Sequence, residues 1–245
     1  MSRILNLDFE KSLHAFGSSG TQAAGLWQYL TDATHSKQLH TAKANFNGLL
    51  SAYTAREGLT GPADVLGGPR GMTASMAGDV YPLALDEELG SRWTVMETSF
   101  KWHASCRHTH PSVDGLLKIM AQNGIKFEDI ESVRCGVYSA AQDVLGLGGV
   151  ETVHQSKFSM GFVLAIAARY GRAGILDFTE DRLRSPELLE FMNRVEMVLD
   201  QDIDDVFPKE WMARVTVTTK DGRVVEEKVE TPKGDPGNTL TKYVF

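Results

Sequence analysis

Up to residue 97, apolar side chains recur mainly at the three- and four-residue spacing of helices. The longest such pattern runs from Leu39 through Phe46 to Tyr53, and Gly58 is the kind of residue that ends a helix. Shorter patterns predict further elements, namely helices over 8–15, 22–33 and 60–67 and a glycine-rich loop over 67–78.

From residue 98 onward, the pattern mixes helices with strands. Pro111 suits the first turn of a helix because proline lacks the N–H that is unpaired there, and Gly124 ends that helix. Val133, Cys135 and Val137 alternate with polar residues at strand period. The remaining predictions are helices over 156–169 and 185–195 and strands over 213–217 and 225–229.

The change of pattern near residue 97 predicts an α+β fold. Residues 1–97 are expected to be rich in helix, and residues 98–245 to combine helices with strands. An antiparallel hairpin is predicted in the second domain, with its turn at 220–223, because the Asp221-Gly222 pair tolerates the positive φ of tight turns.

Composition and charge narrow the possible roles of the chain. It has 245 residues, 42% of them hydrophobic, so it is long enough to bury a core. Its net charge of −7 argues against nucleic acid as the main partner. No apolar run approaches the roughly 20 residues that cross a membrane, and the N-terminus lacks the apolar core of a signal peptide. Cys106 and Cys135 make no disulfide framework, so a cytoplasmic location is expected.

Cations and proton carriers concentrate in the segment 99–111, directly before a predicted helix. Lysine and arginine bind carboxylates, arginine through two parallel hydrogen bonds, and histidine exchanges protons near neutral pH. The backbone N–H groups at the helix start also favour an anion. The segment therefore predicts a site for a substrate with two or three carboxylates. Its relevant residues are Lys101, His103, Cys106, Arg107, His108 and His110.

Three other interpretations of this segment remain open. Its histidines can simply be polar groups of a loop that cap the next helix. His108 and His110, with His103 nearby, have the spacing of metal ligands, although no HExxH or CxxC pattern accompanies them. Cys106 beside a histidine base is a candidate nucleophile, whereas a buried, unreactive cysteine is the commoner case.

Cations elsewhere in the chain add weaker candidates. Lys37 and His40 lie three residues apart and share a helix face, for which a solvated helix start is the simpler explanation. Lys157, at the start of the helix predicted over 156–169, can lie near an anion or be an ordinary surface lysine. Residues 146–149 lack the GxGxxG spacing and no Walker A motif occurs, so no nucleotide cofactor is predicted.

Short motifs spread over nearly the whole chain form a recognisable set. They are Leu13-His14-Ala15-Phe16-Gly17, Gly20-Thr21-Gln22-Ala23-Ala24-Gly25-Leu26, Lys37-Gln38-Leu39-His40, Arg56-Glu57-Gly58-Leu59-Thr60-Gly61-Pro62, Lys101, Cys106-Arg107, His110-Pro111, Ser156-Lys157-Phe158-Ser159, Phe178-Thr179-Glu180-Asp181-Arg182-Leu183 and Lys233-Gly234-Asp235-Pro236-Gly237-Asn238. In this order they resemble the MmgE/PrpD family, which includes 2-methylcitrate dehydratases, cis-aconitate decarboxylases and an iminodisuccinate epimerase.

The resemblance implies a homodimer that works without a metal or an organic cofactor. In the decarboxylase branch, lysines at positions similar to Lys37 and Lys101 line the active site. Both are therefore predicted to be catalytic, together with His40 as a substrate contact or proton carrier. The residues predicted to bind the substrate are Arg107, His110 and Lys157.

The activity that the resemblance implies is that of a cofactor-independent lyase acting on a di- or tricarboxylate. A base removes a proton α to a carboxylate, cations stabilise the developing enolate, and water leaves, as in a 2-methylcitrate dehydratase. Decarboxylation or epimerisation would use the same cationic frame. Family members are longer, so the chain is expected to be truncated at both ends. The resemblance implies that residues 1–97 are the C-terminal part of the family's helical domain and that residues 98–245 are its smaller α+β domain. The alternative is a catalytically incomplete binding or dimerisation module, paired with a second copy or with a missing helical half.

Overall fold

A computed structural model describes residues 1–31, 34–77, 87–146 and 149–241 of the chain. These residues belong to two compact units, residues 1–92 and residues 93–245. In its described part, the first unit is helical, whereas the second combines helices with a mixed sheet. The predicted α+β class is therefore confirmed. The assignment of 1–97 and 98–245 to separate domains stays a prediction.

The helical unit is organised by two helices that pack against each other, α1 and α3. Asp8 begins α1, since its carboxylate accepts a hydrogen bond from the Lys11 backbone N–H at 2.8 Å. This helix continues past its predicted end at residue 15 because Gly17 allows close packing: a Cβ there would overlap the Pro62 carbonyl oxygen. The helices of this unit are α1 (Phe9–Gly20), α2 (Gln28–Thr31), α3 (Ser36–Arg56) and α4 (Met72–Met76).

The prediction from Leu39 onward is confirmed by α3, which Gly58 follows with φ +100°. Other predictions for this unit are wrong in detail. Residues 22–27 are not helical, and residues 32–33 lie outside the described ranges. Segment 60–67 is not helical: residues 63–67 form turns, and Gly61 packs so closely on α1 that a Cβ would overlap the His14 carbonyl. The loop predicted over 67–78 contains α4, and residue 78 lies outside the described ranges.

The two sides of α3 differ in a way that reverses the usual pattern. Small side chains are buried, including Asn47, Ser51, Ala52 and Ala55, whereas large apolar side chains face solvent. None of the helices in the described ranges, including the 21-residue α3, meets the length and hydropathy that a membrane span needs. The exposed residues recur at helical spacing and are here named the α3 apolar face: Leu39, Phe46, Leu49, Leu50 and Tyr53.

The α+β unit contains a mixed sheet with strand order β2-β1-β3-β4 in its described part. Strand β2 runs parallel to β1, and the other neighbours are antiparallel. The strands are β1 (Ile130–Val137), β2 (Val195–Leu199), β3 (Ala213–Thr219) and β4 (Val224–Val229). The helices are α5 (His110–Asn123), α6 (Ser139–Leu145), α7 (Val153–Ser156), α8 (Met160–Tyr170), α9 (Glu180–Leu183), α10 (Pro186–Met192) and α11 (Gln201–Asp204). Short 3-10 helices cover Thr94–Glu97, Arg107–Thr109, Phe127–Asp129 and Ile175–Asp177.

The core of this unit lies between the sheet and the helices α5 and α8. Alternate residues of β3 are buried, and α5 packs on β3 and β4 while α8 contacts α5 and β2. A Cβ at Gly115 would lie 2.8 Å from the nearest methyl carbon of Val215, so this glycine lets α5 approach the sheet closely. The packing of α5 on the sheet fixes the position of its first turn, and the cationic segment 99–111 ends in that turn.

Two of the predicted helices in this unit differ from the prediction, one through long-range strand pairing and one through a local cap. Val195, predicted as the last apolar residue of a helix, instead begins β2 and pairs with Val133 of β1. The helix predicted over 156–169 is divided into α7 and α8, since the Ser159 side chain caps a new start by accepting from the Phe162 N–H at 3.2 Å. The helix from Pro111, the strand at 133–137 and the hairpin around 220–223 are confirmed.

Candidate functional site

The cationic segment 99–111 is held by backbone hydrogen bonds to three distant parts of the α+β unit. It then passes through a 3-10 turn directly into α5. These bonds fix the path of the segment, and with it the positions from which its side chains project. In each bond an N–H of the segment donates to a carbonyl oxygen at 2.8 Å: Phe100 to Gly234, Ala104 to Ala173 and Cys106 to Lys157.

Arg107 is the most firmly held cation of the segment. Its Nη1 donates to Nδ1 of His110 at 3.1 Å, and its Nη2 forms an ion pair with the Asp235 carboxylate. The guanidinium carbon lies 5.9 Å from the centre of the Trp211 ring. Arg107 is thus fixed in orientation, and its predicted role as an anchor for a substrate carboxylate stays a prediction.

His110 is buried and electrically neutral near pH 7. Burial lowers its pKa to about 3, and the positive charges of Arg107 and Lys101 act in the same direction. Because Nδ1 accepts from Arg107, the proton of the neutral ring sits on Nε2. His110 therefore orients Arg107 without adding charge.

His108 lies in an aromatic pocket and is also neutral. Its Nδ1 is 2.8 Å from the Tyr138 hydroxyl, and its ring stacks on Trp211 with 5.0 Å between centres. Burial lowers the pKa of His108 to about 4, aided by the charges of Lys101 and Arg107. Burial raises the pKa of the Tyr138 phenol, so that group keeps its proton as well.

A pair between the buried His103 and the half-buried Asp114 is a feature that the sequence analysis missed. Nε2 of His103 lies 2.9 Å from Oδ1 of Asp114, and Oδ2 of Asp114 accepts from the Lys233 backbone N–H at 2.7 Å. The rings of His103 and His110 meet edge to face with 5.1 Å between centres. The sequence did contain a signal for Asp114: it follows His110 by four residues, so both lie on one side of α5.

Four predicted site residues belong to the α+β unit. Lys101 is exposed, and its Nζ donates to the Ser105 carbonyl at 3.1 Å. The ammonium group of Lys157 lies 5.7 Å from the centre of the Phe178 ring, while its carbonyl binds Cys106. The structure thus brings together Lys101, Arg107 and His110, with the backbone of Lys157 adjoining them.

Lys37 and His40 belong to the helical unit, in the first turns of α3. Lys37 is exposed, and the half-buried ring of His40 meets Tyr29 edge to face with 5.4 Å between centres. The catalytic roles predicted for these two residues and Lys101 stay predictions.

Metal binding was an alternative for the histidines of the segment. Over the described ranges, no group of three or more His, Cys, Asp or Glu side chains is arranged to hold a metal ion. His108 and His110, the predicted ligand pair, engage Tyr138 and Arg107 instead.

Comparison with known proteins gives matches over both units. Residues 1–82 match the MmgE/PrpD N-terminal domain, and residues 103–244 match the MmgE/PrpD C-terminal domain. A cis-aconitate decarboxylase-like protein, oryM, from Aspergillus oryzae is 25% identical over 96% of this chain and 52% of its own length. The cis-aconitate decarboxylase of Aspergillus terreus is 24% identical over 95% of this chain and 51% of its own length. The chain thus spans about half the length of the curated relatives it matches.

Proposed function

Because this chain belongs to the MmgE/PrpD family, we propose that it supplies the anion-binding centre of a cofactor-independent lyase for a di- or tricarboxylate. The observation that carries the proposal is the arrangement around Arg107. Arg107 and Lys101 lie beside two histidines whose pKa values, about 4 and about 3, keep them neutral at pH 7. Of the two cations in this cluster, the guanidinium of Arg107 is largely shielded from water, which strengthens its interaction with a developing negative charge, whereas Lys101 is exposed.

The proposed reaction begins with removal of a proton α to a carboxylate. The electron pair left on carbon spreads into the carboxylate, which becomes more negative than in the bound substrate. Lys101 and Arg107 stabilise this enolate more strongly than the ground state, which lowers the barrier. In the dehydration that we favour, a proton is delivered to the leaving hydroxyl, water departs and an alkene forms.

We assign the two neutral histidines, His108 and His110, the role of positioning other groups of the site, not of transferring protons. A group that transfers protons near pH 7 works best with a pKa close to 7, and His108 and His110 lie far below that value. His110 instead holds the guanidinium of Arg107 in place. Lys101 is then the predicted catalytic group of the α+β unit.

Decarboxylation is a second candidate, favoured by the names of the two relatives from Aspergillus. It would use the same cations to stabilise charge while carbon dioxide, and not water, leaves. A binding or dimerisation module without turnover is the alternative outside catalysis.

Assays of the purified full chain with 2-methylcitrate, citrate and cis-aconitate test the proposal. Dehydration would be followed by the ultraviolet absorbance of the unsaturated acid, and decarboxylation by release of carbon dioxide. Turnover of at least one acid is expected. Binding without turnover would identify the non-catalytic module, and neither binding nor turnover would refute the proposed function.

We also propose that the α3 apolar face is covered by a second copy of the chain. The proposal is supported by the homodimer that the family resemblance implies and by the size of the exposed side chains, of which Phe46 is 58% exposed and Leu50 44%. Light scattering of the purified chain is expected to show a dimer.

The double variant Phe46→Glu/Leu50→Glu is expected to be monomeric, because dimerisation would bury two carboxylates against apolar surface. Thr41→Glu is the matched control, since Thr41 is an exposed residue of α3 outside this face, and it should remain dimeric. A monomeric wild-type chain, or a dimer that survives the double substitution, would contradict the proposal.

A further inference from the structure

The ion pair between Arg107 and Asp235 places a carboxylate of the protein on the cation that we assign to the substrate. Asp235 accepts from Nη2 of Arg107, while Nη1 donates to His110. Only 15% of the Arg107 side chain and 14% of the Asp235 side chain are exposed. The Asp235 carboxylate occupies this face of the guanidinium, so another anion reaches it only by replacing Asp235.

The segment 231–238, here named the Asp235 loop, has anchors that do not involve the Asp235 carboxylate. The Gly234 carbonyl accepts from the Phe100 N–H at 2.8 Å, and the Lys233 N–H donates to Asp114 at 2.7 Å. Gly234 has φ +99°, and a Cβ there would overlap the Phe100 carbonyl. The loop is therefore expected to stay docked when the carboxylate is removed.

A surface cleft of about 330 Å³ adjoins the ion pair. Asp235 and Trp211 line it, and its other charged lining residues are Lys209, Glu210 and Glu230. The Arg107 guanidinium carbon lies 5.9 Å from the centre of the Trp211 ring, so Arg107 is close to the cleft without lining it. Lys101 belongs to the same segment as Ser99 and supplies the second cation.

We propose that Asp235 is an internal competitor for Arg107, which makes the site select ligands with more than one carboxylate. This inference rests on the proposed function and deepens it. A monocarboxylate that binds Arg107 replaces the ion pair with Asp235 by a single new ion pair, so it gains little binding free energy. A di- or tricarboxylate also engages Lys101, and this additional attraction displaces Asp235. Selectivity then comes from the difference in affinity between the ligand and the internal carboxylate.

The test follows the accessibility of Arg107 to phenylglyoxal, a reagent for arginine, by peptide mass spectrometry of the full chain. Wild type is compared with Asp235→Asn and with the control Asp221→Asn. Asp221 is a suitable control because it also pairs with an arginine, Arg223, in the hairpin turn. Acetate and citrate are added as protecting ligands at constant ionic strength.

Arg107 is expected to react about tenfold faster in Asp235→Asn than in wild type, because a charge-assisted hydrogen bond is lost. The control should react at the wild-type rate. Acetate should protect Arg107 in Asp235→Asn but not in wild type, whereas citrate should protect it in both.

Equal labelling of Arg107 in wild type and Asp235→Asn would overturn the inference, as would equal protection by acetate in both. If citrate protects neither protein while the other results hold, the internal competitor stands and the proposed function fails. Asp235→Ser, which shortens the side chain, is the second variant. Unfolding of both variants would show that the loop depends on the carboxylate and would also overturn the inference.

Discussion

Lowering the pH from 7.5 to 4.5 is expected to remove roughly 5 kcal/mol from the free energy of unfolding of the α+β unit. In the native state, the pKa of His108 is about 4 and that of His110 about 3. Both rings regain a pKa near 6.5 on unfolding. Over this interval the unfolded chain therefore binds protons that the native state does not, and stability falls as the pH falls. Urea unfolding followed by tryptophan fluorescence measures the effect.

The variant His110→Asn is expected to remove about half of this pH dependence, since one of two titrating groups is lost. Asparagine can still accept from Arg107 through its side-chain oxygen, which makes the substitution conservative for orientation. His35→Asn, at an exposed position of the helical unit, is the control and should retain the wild-type slope. An unchanged slope in His110→Asn would contradict the assignment of His110 as a buried neutral acceptor.

Replacing Lys101 with alanine is expected to lower kcat about 10²–10³-fold, because one cation that stabilises the enolate is removed. Lys101 is exposed, so the fold should be retained, which circular dichroism would verify. Lys118→Ala is the matched control: Lys118 is an exposed lysine of α5 paired with Glu227, and its loss should leave kcat unchanged. A Lys101→Ala variant with wild-type kcat would remove Lys101 from the mechanism.

Local sequence patterns correctly predicted those helices and turns that are determined by neighbouring residues in the chain. Pro111 and Gly124 bracket α5, and the Asp221-Gly222 turn joins β3 to β4. The sequence gives no comparable signal for β2, because Val195 becomes a strand residue only through parallel pairing with β1. The close approach of Gly61 to α1, just before the turns at 63–67, is likewise a tertiary contact that spacing along the chain does not reveal.

The candidate site shows the same difference between local features, which the sequence indicates, and long-range contacts, which it does not. Lys101, Arg107 and His110 were predicted together because they lie within one short segment of the chain. Their partners were missed, since Asp235 reaches Arg107 across 128 positions. Burial also changed the meaning of the histidines: the sequence indicated proton carriers, whereas the surroundings of His110 hold it neutral. Such desolvation depends on the packed fold and cannot be read from spacing.

The most direct test of the central claim is a calorimetric titration of citrate into the purified full chain at low and high salt. If Lys101 and Arg107 form a site for polycarboxylates, citrate binds at one site per chain and its Kd rises as the ionic strength rises. The absence of citrate binding, or a Kd that does not change with salt, would contradict the claim.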